Sequence, residues 1–317
     1  MKIVFSGSIA FDHLMTFPGH FRDYIMSDNL ESLSLSFLTD SKTVHRGGNA
    51  PNIAYNHVLL GGKASVLGTV GQDFHEYRTW LDNVGVDTNN IVEIKDEFTA
   101  SFYVTTDRNN AQIASFYPGA MTHSSQLKVS DLEFNPDLVV ISPDDPLAMK
   151  YRVKECQSIQ TPYVYDPSQQ IVRLENDDLY EGVMGAHMIV LNHYEFSLLK
   201  EKIDIDENSI VDKGIILVIT NGRHGSLIWS GDDYFEIPSF PENDVCDPTG
   251  VGDALRGGFL RAYAADLPLD LCGRVGALAA TYCLENVGTQ NHNYTVSEFL
   301  NRFRYNYDDE GALDILD

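Results

Sequence analysis

Short apolar runs rich in β-branched and aromatic residues recur along the chain, at Lys2–Ile9, Ala64–Val70, Leu138–Ser142, Tyr163–Tyr165, Met188–Leu191 and Ile215–Thr220. Most of them stop at a polar or glycine-rich turn. Between them lie longer stretches with helical spacing, among them Pro51–Leu60, Phe74–Val84, Tyr194–Glu201 and Ala254–Ala265. Strands that alternate with helices are joined by crossovers and not by hairpins, so the pattern predicts βαβ units on a largely parallel sheet, an α/β fold. Pro51 suits a first helical position, and Gly61 suits the residue beyond the helix end.

Two stretches break the alternation. Residues Phe98–Tyr117 alternate around Asp107-Arg108-Asn109-Asn110, which reads as an antiparallel hairpin. Asp12–His45 is irregular, with an alternating segment at Ser34–Leu38. Together they predict a small β-layer over an edge of the main sheet, a lid formed by insertions at about 12–45 and 91–118. No internal repeat or linker divides the 317 residues, so a single domain spanning 1–317 is expected.

Charge narrows the partners. With 46 Asp and Glu against 22 Lys and Arg, the net charge is −24, and such a surface repels phosphate backbones and anionic lipid. Nucleic acid and membrane are therefore excluded as partners, and small molecules are expected. An anionic substrate would need a locally built site of backbone N–H groups, a metal or a few basic side chains. The four cysteines, Cys156, Cys246, Cys272 and Cys283, form no CxxC pair and fit a reducing compartment. No apolar stretch approaches the roughly 20 residues of a membrane span, and the first run reads as a buried strand, so a cytoplasmic protein is expected.

The segment Asp247-Pro248-Thr249-Gly250-Val251-Gly252-Asp253 runs straight into a helical pattern. Glycines at a helix entrance let backbone N–H groups point at an anion, which the helix dipole also favours. Asp253, in the first turn, is then placed to take a proton from a hydroxyl attacking a phosphoryl group. A plain helix cap after a flexible turn satisfies the same residues. Near the other end, His45-Arg46-Gly47-Gly48-Asn49-Ala50-Pro51-Asn52 opens a second helix; Gly47 and Gly48 let a polar ligand approach, Asn52 offers a donor and an acceptor, and Asp12 can accept from a diol. Ordinary turn and cap roles remain open for all of these. GxxxxGK[ST], a full GxGxxG, HRD, DFG, HExxH and GxSxG are absent.

These stretches resemble the signatures of the ribokinase-like, or PfkB, family of carbohydrate and nucleoside kinases. Gly47-Gly48 with Asn52 is similar to the first signature, and DPTGVGDALRGGF to the second. Asn192-His193-Tyr194-Glu195 is similar to its N-x-x-E motif, and Thr220 to Gly225 to its T-x-G-x-x-G strand end. The order matches from Lys2 to about His292. Within the family the resemblance runs to bacterial adenosine kinases, on GSIAFD, GNAPNIAYN, FYPGAMTHS and GTQNH. Departures are Pro248, Val251 and Leu255, of which Val251 adds bulk near the phosphates.

The resemblance implies a three-layer α/β/α domain with a mainly parallel central sheet and a β-sheet lid, and ATP- and Mg²⁺-dependent phosphorylation of a primary hydroxyl. It implies Asp253 as general base, with Gly250, Val251 and Gly252 forming the cradle for the transferred phosphoryl. Asn192 and Glu195 would organise Mg²⁺; Thr220, Gly222, Gly225 and Asn291 would line the ATP groove. Asp12, Gly47, Gly48 and Asn52 would hold ribose, and Phe102, Phe116 and Met121 would supply an apolar slot for a purine, although aromatic residues in a hairpin also pack on their own face. Arg46 could complement the γ-phosphate. A monovalent cation such as K⁺ binds some members near the Asp247–Thr249 loop, and members occur as monomers or as dimers through the lid. Adenosine is the leading acceptor, with another nucleoside or a free sugar such as ribose or fructose as the alternative, and a non-catalytic nucleoside sensor as a more distant one.

Overall fold

The computed structural model describes residues 1–25 and 35–317. Fourteen strands are found among these: β1 Ile3–Ser6, β2 Ala10–Thr16, β3 Ser41–Gly47, β4 Ala64–Val70, β5 Val86–Asp87, β6 Ile91–Glu93, β7 Ala100–Thr106, β8 Gln112–Tyr117, β9 Leu138–Ile141, β10 Tyr163–Tyr165, β11 Met188–Asn192, β12 Ile216–Thr220, β13 Ser226–Ser230 and β14 Asp233–Ile237. The helices are α1 Asn49–Leu59, α2 His75–Asn83, α3 Pro146–Ser158, α4 Asn176–Met184, α5 His193–Ile203, α6 Glu207–Val211, α7 Val251–Ala264, α8 Leu269–Leu284 and α9 Val296–Asn306.

The central sheet runs β14-β13-β12-β11-β10-β9-β1-β4-β5, with β6 on the far half of β4. Every pairing from β5 to β12 is parallel, and only the β12-β13-β14 edge is antiparallel. Both faces of these strands are buried, which is why they read as unbroken apolar runs. Alternation splits them between two cores: Ile3, Phe5, Val66, Val190 and Val218 pack toward α1, α7, α8 and α9, while Val4, Leu67, Val139, Ile189 and Leu217 pack toward α3, α4 and α5. The result is the three-layer α/β/α arrangement.

A second sheet, ordered β3-β2-β7-β8, stands off the first. β2 runs parallel to β7 and antiparallel to β3, and β7 and β8 form the expected hairpin. Its turn is held by Asp107, whose Oδ1 accepts from the N–H groups of Asn109 and Ala111 at 2.8 and 3.0 Å.

Several boundaries differ from the sequence reading. The run Lys2–Ile9 is a strand only to Ser6, because the chain leaves the central sheet there to enter the lid at Ala10. The second insertion does not begin as lid: Ile91–Glu93 pairs in parallel with Gly68–Val70 of the central sheet, and lid strand starts at Ala100. In the alternating segment, Ser34 lies outside the described residues and Leu35–Leu38 carry no strand. Pro51 is the third helical residue, behind Asn49 and Ala50, still within the first turn, where a missing N–H costs no helical bond. No helix among the described residues is long and apolar enough to cross a membrane.

Candidate active site

At the carboxyl ends of the parallel strands, α7 begins on Gly250, which adopts the left-handed φ of 78°. A Cβ at that position would stand 2.7 Å from Thr289 Cγ2, so both conformation and space call for glycine. No side chain caps the helix. The Val251 N–H reaches only Pro248 O, at 3.4 Å, and the N–H groups of Gly252 and Asp253 have no acceptor among the described residues. Unsatisfied N–H groups at the positive end of a helix dipole form an anion cradle. The loop before it is fixed by Asp247, whose carboxylate accepts from the N–H of Thr249 at 2.9 Å and of Gly288 at 3.0 Å. Burial pushes the Asp247 carboxyl up, but these bonds outweigh it and leave it below its usual range.

Asp253 is buried beside this cradle. Its Oδ1 accepts from Asn49 Nδ2 at 3.0 Å and its Oδ2 from Asn52 Nδ2 at 2.9 Å. Burial raises its pKa to about 6, against the lowering effect of Arg256 and of the two asparagines. It is thus ionised at neutral pH yet a stronger base than an exposed aspartate, which suits a group that removes a hydroxyl proton.

Asn52 belongs to a buried chain of hydrogen bonds. Its Oδ1 accepts from Gln290 Nε2 at 2.8 Å; the same nitrogen approaches Tyr77 Oη at 2.5 Å, and Tyr77 donates to the carbonyl of Gly47 at 3.0 Å. Trp80 Nε1 donates to Gln290 Oε1 at 3.2 Å, and Arg46 stacks on the Trp80 ring 4.1 Å from its centroid. The sequence reading gave Asn52 to ribose hydroxyls and Arg46 to the γ-phosphate. In the structure the crossing of α1 and α7 turns Asn52 onto Asp253, while Trp80 and Asn291 Oδ1, at 3.2 Å, occupy Arg46.

The lid contributes one cross-strand row. His45 on β3, Asp12 on β2, Phe102 on β7 and Phe116 on β8 are register partners in sequence, so their side chains share one face. Burial raises the Asp12 carboxyl to about 6, with nearby His45 lowering it and Asp247 raising it. Phe116 is 48% exposed, whereas Met121 is buried against Ala10 and Ala100, two residues along the same face from Asp12 and Phe102. The spaces beside Gly47 and Gly48 are filled by protein: a Cβ on Gly47 would lie 2.6 Å from Asp12 Oδ2, and one on Gly48, at φ +92°, 2.5 Å from Ser8 O. Those glycines let the lid strand sit close against β2 and the start of α1.

On the other side, Asn192 and Thr220 are register neighbours at the ends of β11 and β12. Asn192 Oδ1 accepts from the Glu195 N–H and Glu195 Oε2 from the Asn192 N–H, both at 2.8 Å, a reciprocal capping box. Among the described residues no cluster of three metal-ligating side chains occurs. Glu195 still has a carboxyl pushed up by burial and by Asp166, so a cation is welcome beside it. A Mg²⁺ ion that keeps its waters would fit this group, held by Glu195 through water, since Asn192 Oδ1 is already engaged. Gly222 lies at φ +53° with open space where a Cβ would be, while Gly225 is hemmed in by Ile237 O. Asn291, grouped with them from sequence, accepts from Arg46 of the lid strand at 3.2 Å.

Residues the sequence did not single out include Asn49, Tyr77, Trp80, Gln290 and Arg256. Their partners lie up to 238 residues away, as for Gln290 and Asn52, and no local spacing carries such pairings. Gln290 does lie inside the GTQNH stretch, which was the available signal.

Residues 21–295 match the model of the pfkB family of carbohydrate kinases. The chain is 32% identical over 262 residues to a nucleoside kinase of Methanothermobacter thermautotrophicus, covering 81% of this chain and 84% of that one. It is 29% identical over 285 residues to a nucleoside kinase of Methanocaldococcus jannaschii, covering 88% and 93%. Its structure is similar to that of Burkholderia thailandensis nucleoside kinase in complex with inosine, with a TM-score of 0.87, 31% identity and coverage of 97% and 99%.

Proposed function

The chain belongs to the pfkB family of carbohydrate kinases, and from that premise we propose that it is an ATP-dependent nucleoside kinase that phosphorylates the 5′-hydroxyl of adenosine to give AMP. The observation that carries this reading is the lid row. A carboxylate, Asp12, suited to a ribose diol lies between His45 and two aromatic rings, Phe102 and Phe116, suited to a flat base. A free sugar would leave those rings without a partner. Both curated relatives are named nucleoside kinases, and the Burkholderia enzyme was solved with inosine, which favours a purine and makes inosine the second acceptor to test.

In this reading Asp253 accepts the 5′-hydroxyl proton as the oxygen attacks the γ-phosphorus, and the N–H groups of Gly252 and Asp253 receive the charge that develops on the phosphoryl oxygens. Thr220 and Gly222 border the nucleotide, and Mg²⁺, when bound, neutralises phosphate charge. Closure of the lid excludes water, which competes for the same phosphoryl group. The lid strand β8, exposed along its length, supports pairing with a second copy.

The test is ADP release with ATP and Mg²⁺ in the presence of adenosine, inosine, other nucleosides, ribose or fructose. Turnover on adenosine that vanishes in Asp253→Asn is expected. Turnover confined to a free sugar would overturn the nucleoside reading and keep the base.

A further inference from the structure

Arg256 lies one turn beyond Asp253 on α7 and is buried. Its Nη2 donates to Asp166 Oδ1 at 2.8 Å, and its Nε stands 2.6 Å from Asp166 Oδ2 in ion-pair contact without the alignment of a hydrogen bond, against a carboxylate that has no exposed surface. Nη2 also approaches Ser168 Oγ at 3.4 Å and Val190 O at 3.5 Å. These contacts use two of the three guanidinium nitrogens. Nη1 has no acceptor among the described residues, and the side chain turns it toward the cradle: a Cβ built on Gly252 would stand 2.8 Å from it and would touch nothing else.

Three carboxylates, Asp166, Asp253 and Glu195, act on this one guanidinium. Before any nucleotide binds, the floor of the site thus carries more negative charge than positive, in a chain of net charge −24. A phosphoryl group entering the cradle would be repelled unless a fixed cation faced it. Arginine can supply that charge without losing its proton, and its fork allows one edge to be anchored while the remaining nitrogen donates elsewhere.

We propose that Arg256 is a catalytic residue, donating through Nη1 to the phosphoryl group in transit, and that Asp166 is the positioning residue that aims it. The inference rests on the kinase reading above. In the step it assists, the acceptor oxygen forms a bond to the γ-phosphorus and its proton passes to Asp253. The bond from that phosphorus to the β,γ-bridging oxygen breaks, and its electron pair leaves on ADP. Charge spreads over the three remaining phosphoryl oxygens, where Nη1 joins the N–H groups of Gly252 and Asp253.

A bridge that merely pins α7 to the end of β10 is the competing account, and three variants separate the two. Arg256→Gln should lower kcat by about 10²- to 10³-fold, the usual loss of one donor to a developing oxyanion, with little change in acceptor KM. Gly252→Ala keeps the ion pair intact and presses its methyl only on Nη1, so it should lower kcat by at least about tenfold in a chain of normal melting temperature. Asp166→Asn breaks the same bridge while leaving the positive charge, so its loss of kcat should be smaller than that of Arg256→Gln. The set is also titrated with ADP and aluminium fluoride, a mimic of the transferred phosphoryl that needs no acceptor. Fluoride should tighten ADP binding in the wild type and fail to do so in Arg256→Gln. Equal tightening in both, or no tightening in the wild type, overturns the proposal, as does an Asp166→Asn loss equal to that of Arg256→Gln. A wild type that tightens with fluoride but turns over no nucleoside would sink the nucleoside reading alone.

Discussion

Asn52 Nδ2 donates to Asp253 Oδ2 at 2.9 Å, tying the start of one helix to the start of another 201 residues later. The bond favours the ionised carboxylate, and so does its twin from Asn49. Burial alone would hold Asp253 in its protonated, useless form further into the neutral range; Arg256 and then the two amides bring its pKa back to about 6. Replacing Asn52 by Leu removes one such bond, worth about 1.5–3 kcal/mol, and so moves the acid limb of kcat/KM upward by about one to two pH units. Activity at pH 7 falls and recovers toward pH 8.5. An acid limb left where the wild type has it would show that Asn52 does not tune the base.

Asp253→Asn tests the base itself. The amide has the same shape and cannot take the proton, so kcat should fall by about 10²- to 10⁴-fold. Acceptor binding measured by calorimetry should change little. A mutant with near-normal turnover would sink the assignment.

How much of this was readable from the chain alone follows from the range of each interaction. The turn at Gly250 and the placement of Asp253 in the first helical turn were legible, because both are set by neighbours within a few residues. The parallel sheet was legible for a similar reason, since strands buried on both faces show as short apolar runs. The row His45–Asp12–Phe102–Phe116 was named in three of its four members, but not as a row, because register joins strands about 90 residues apart. Asn52 was assigned to ribose from its donor and acceptor and from the resemblance, while its spacing says only that it starts a helix. Its partner Gln290 is 238 residues away, and only folding brings them together.

Gln290 carries the third prediction. Its amide serves Asn52, Tyr77 and Trp80 at once; Gln290, Asn52 and Tyr77 are buried and Trp80 is half-buried. Gln290→Leu keeps the volume but leaves three polar groups short of a partner, each costing about 1–3 kcal/mol where no water enters. The melting temperature should drop by several degrees, and kcat should fall as well, since Asn52 loses the acceptor contact that orients it. Loss of stability with an unchanged kcat in the folded fraction would confine Gln290 to the scaffold.

Gly222 and Gly225 look alike in the T-x-G-x-x-G stretch, yet the structure separates them. At Gly225, with φ +83°, a Cβ would lie 1.9 Å from Ile237 O; at Gly222, with φ +53°, it would meet nothing within 4 Å. Gly225→Ala should therefore prevent accumulation of soluble protein. Gly222→Ala should cost only about 1–2 kcal/mol for a left-handed alanine and yield a folded chain. If Gly222 borders the nucleotide, that folded variant should show a raised KM for ATP with an unchanged KM for the acceptor.

His57, fully buried on α1 against the Phe5 ring at 5.4 Å, sets an acid-stability prediction. Burial, with Arg261 nearby, pushes its pKa down to about 3, against about 6.5 in an unfolded chain. The folded state thus binds fewer protons between those values, so the stability His57 permits is fully present above pH 6.5 and is lost as pH falls toward 3. The slope is about 1.4 kcal/mol per pH unit, or about 3 kcal/mol between pH 6.5 and 4.5. Asp12, Asp144 and Asp253, each raised to about 6, work in the opposite sense, because their folded forms take up protons first as pH falls. Wild-type stability alone therefore mixes the two effects, whereas a difference between variants isolates one. In His57→Phe the carboxylates are unchanged and any strain from the larger ring is the same at every pH. Urea unfolding of both proteins from pH 7.5 to 4.5 should show the variant gaining on the wild type by about 1.4 kcal/mol per unit below pH 6.5. A difference that stays constant across this range would mean that His57 is protonated in the folded chain.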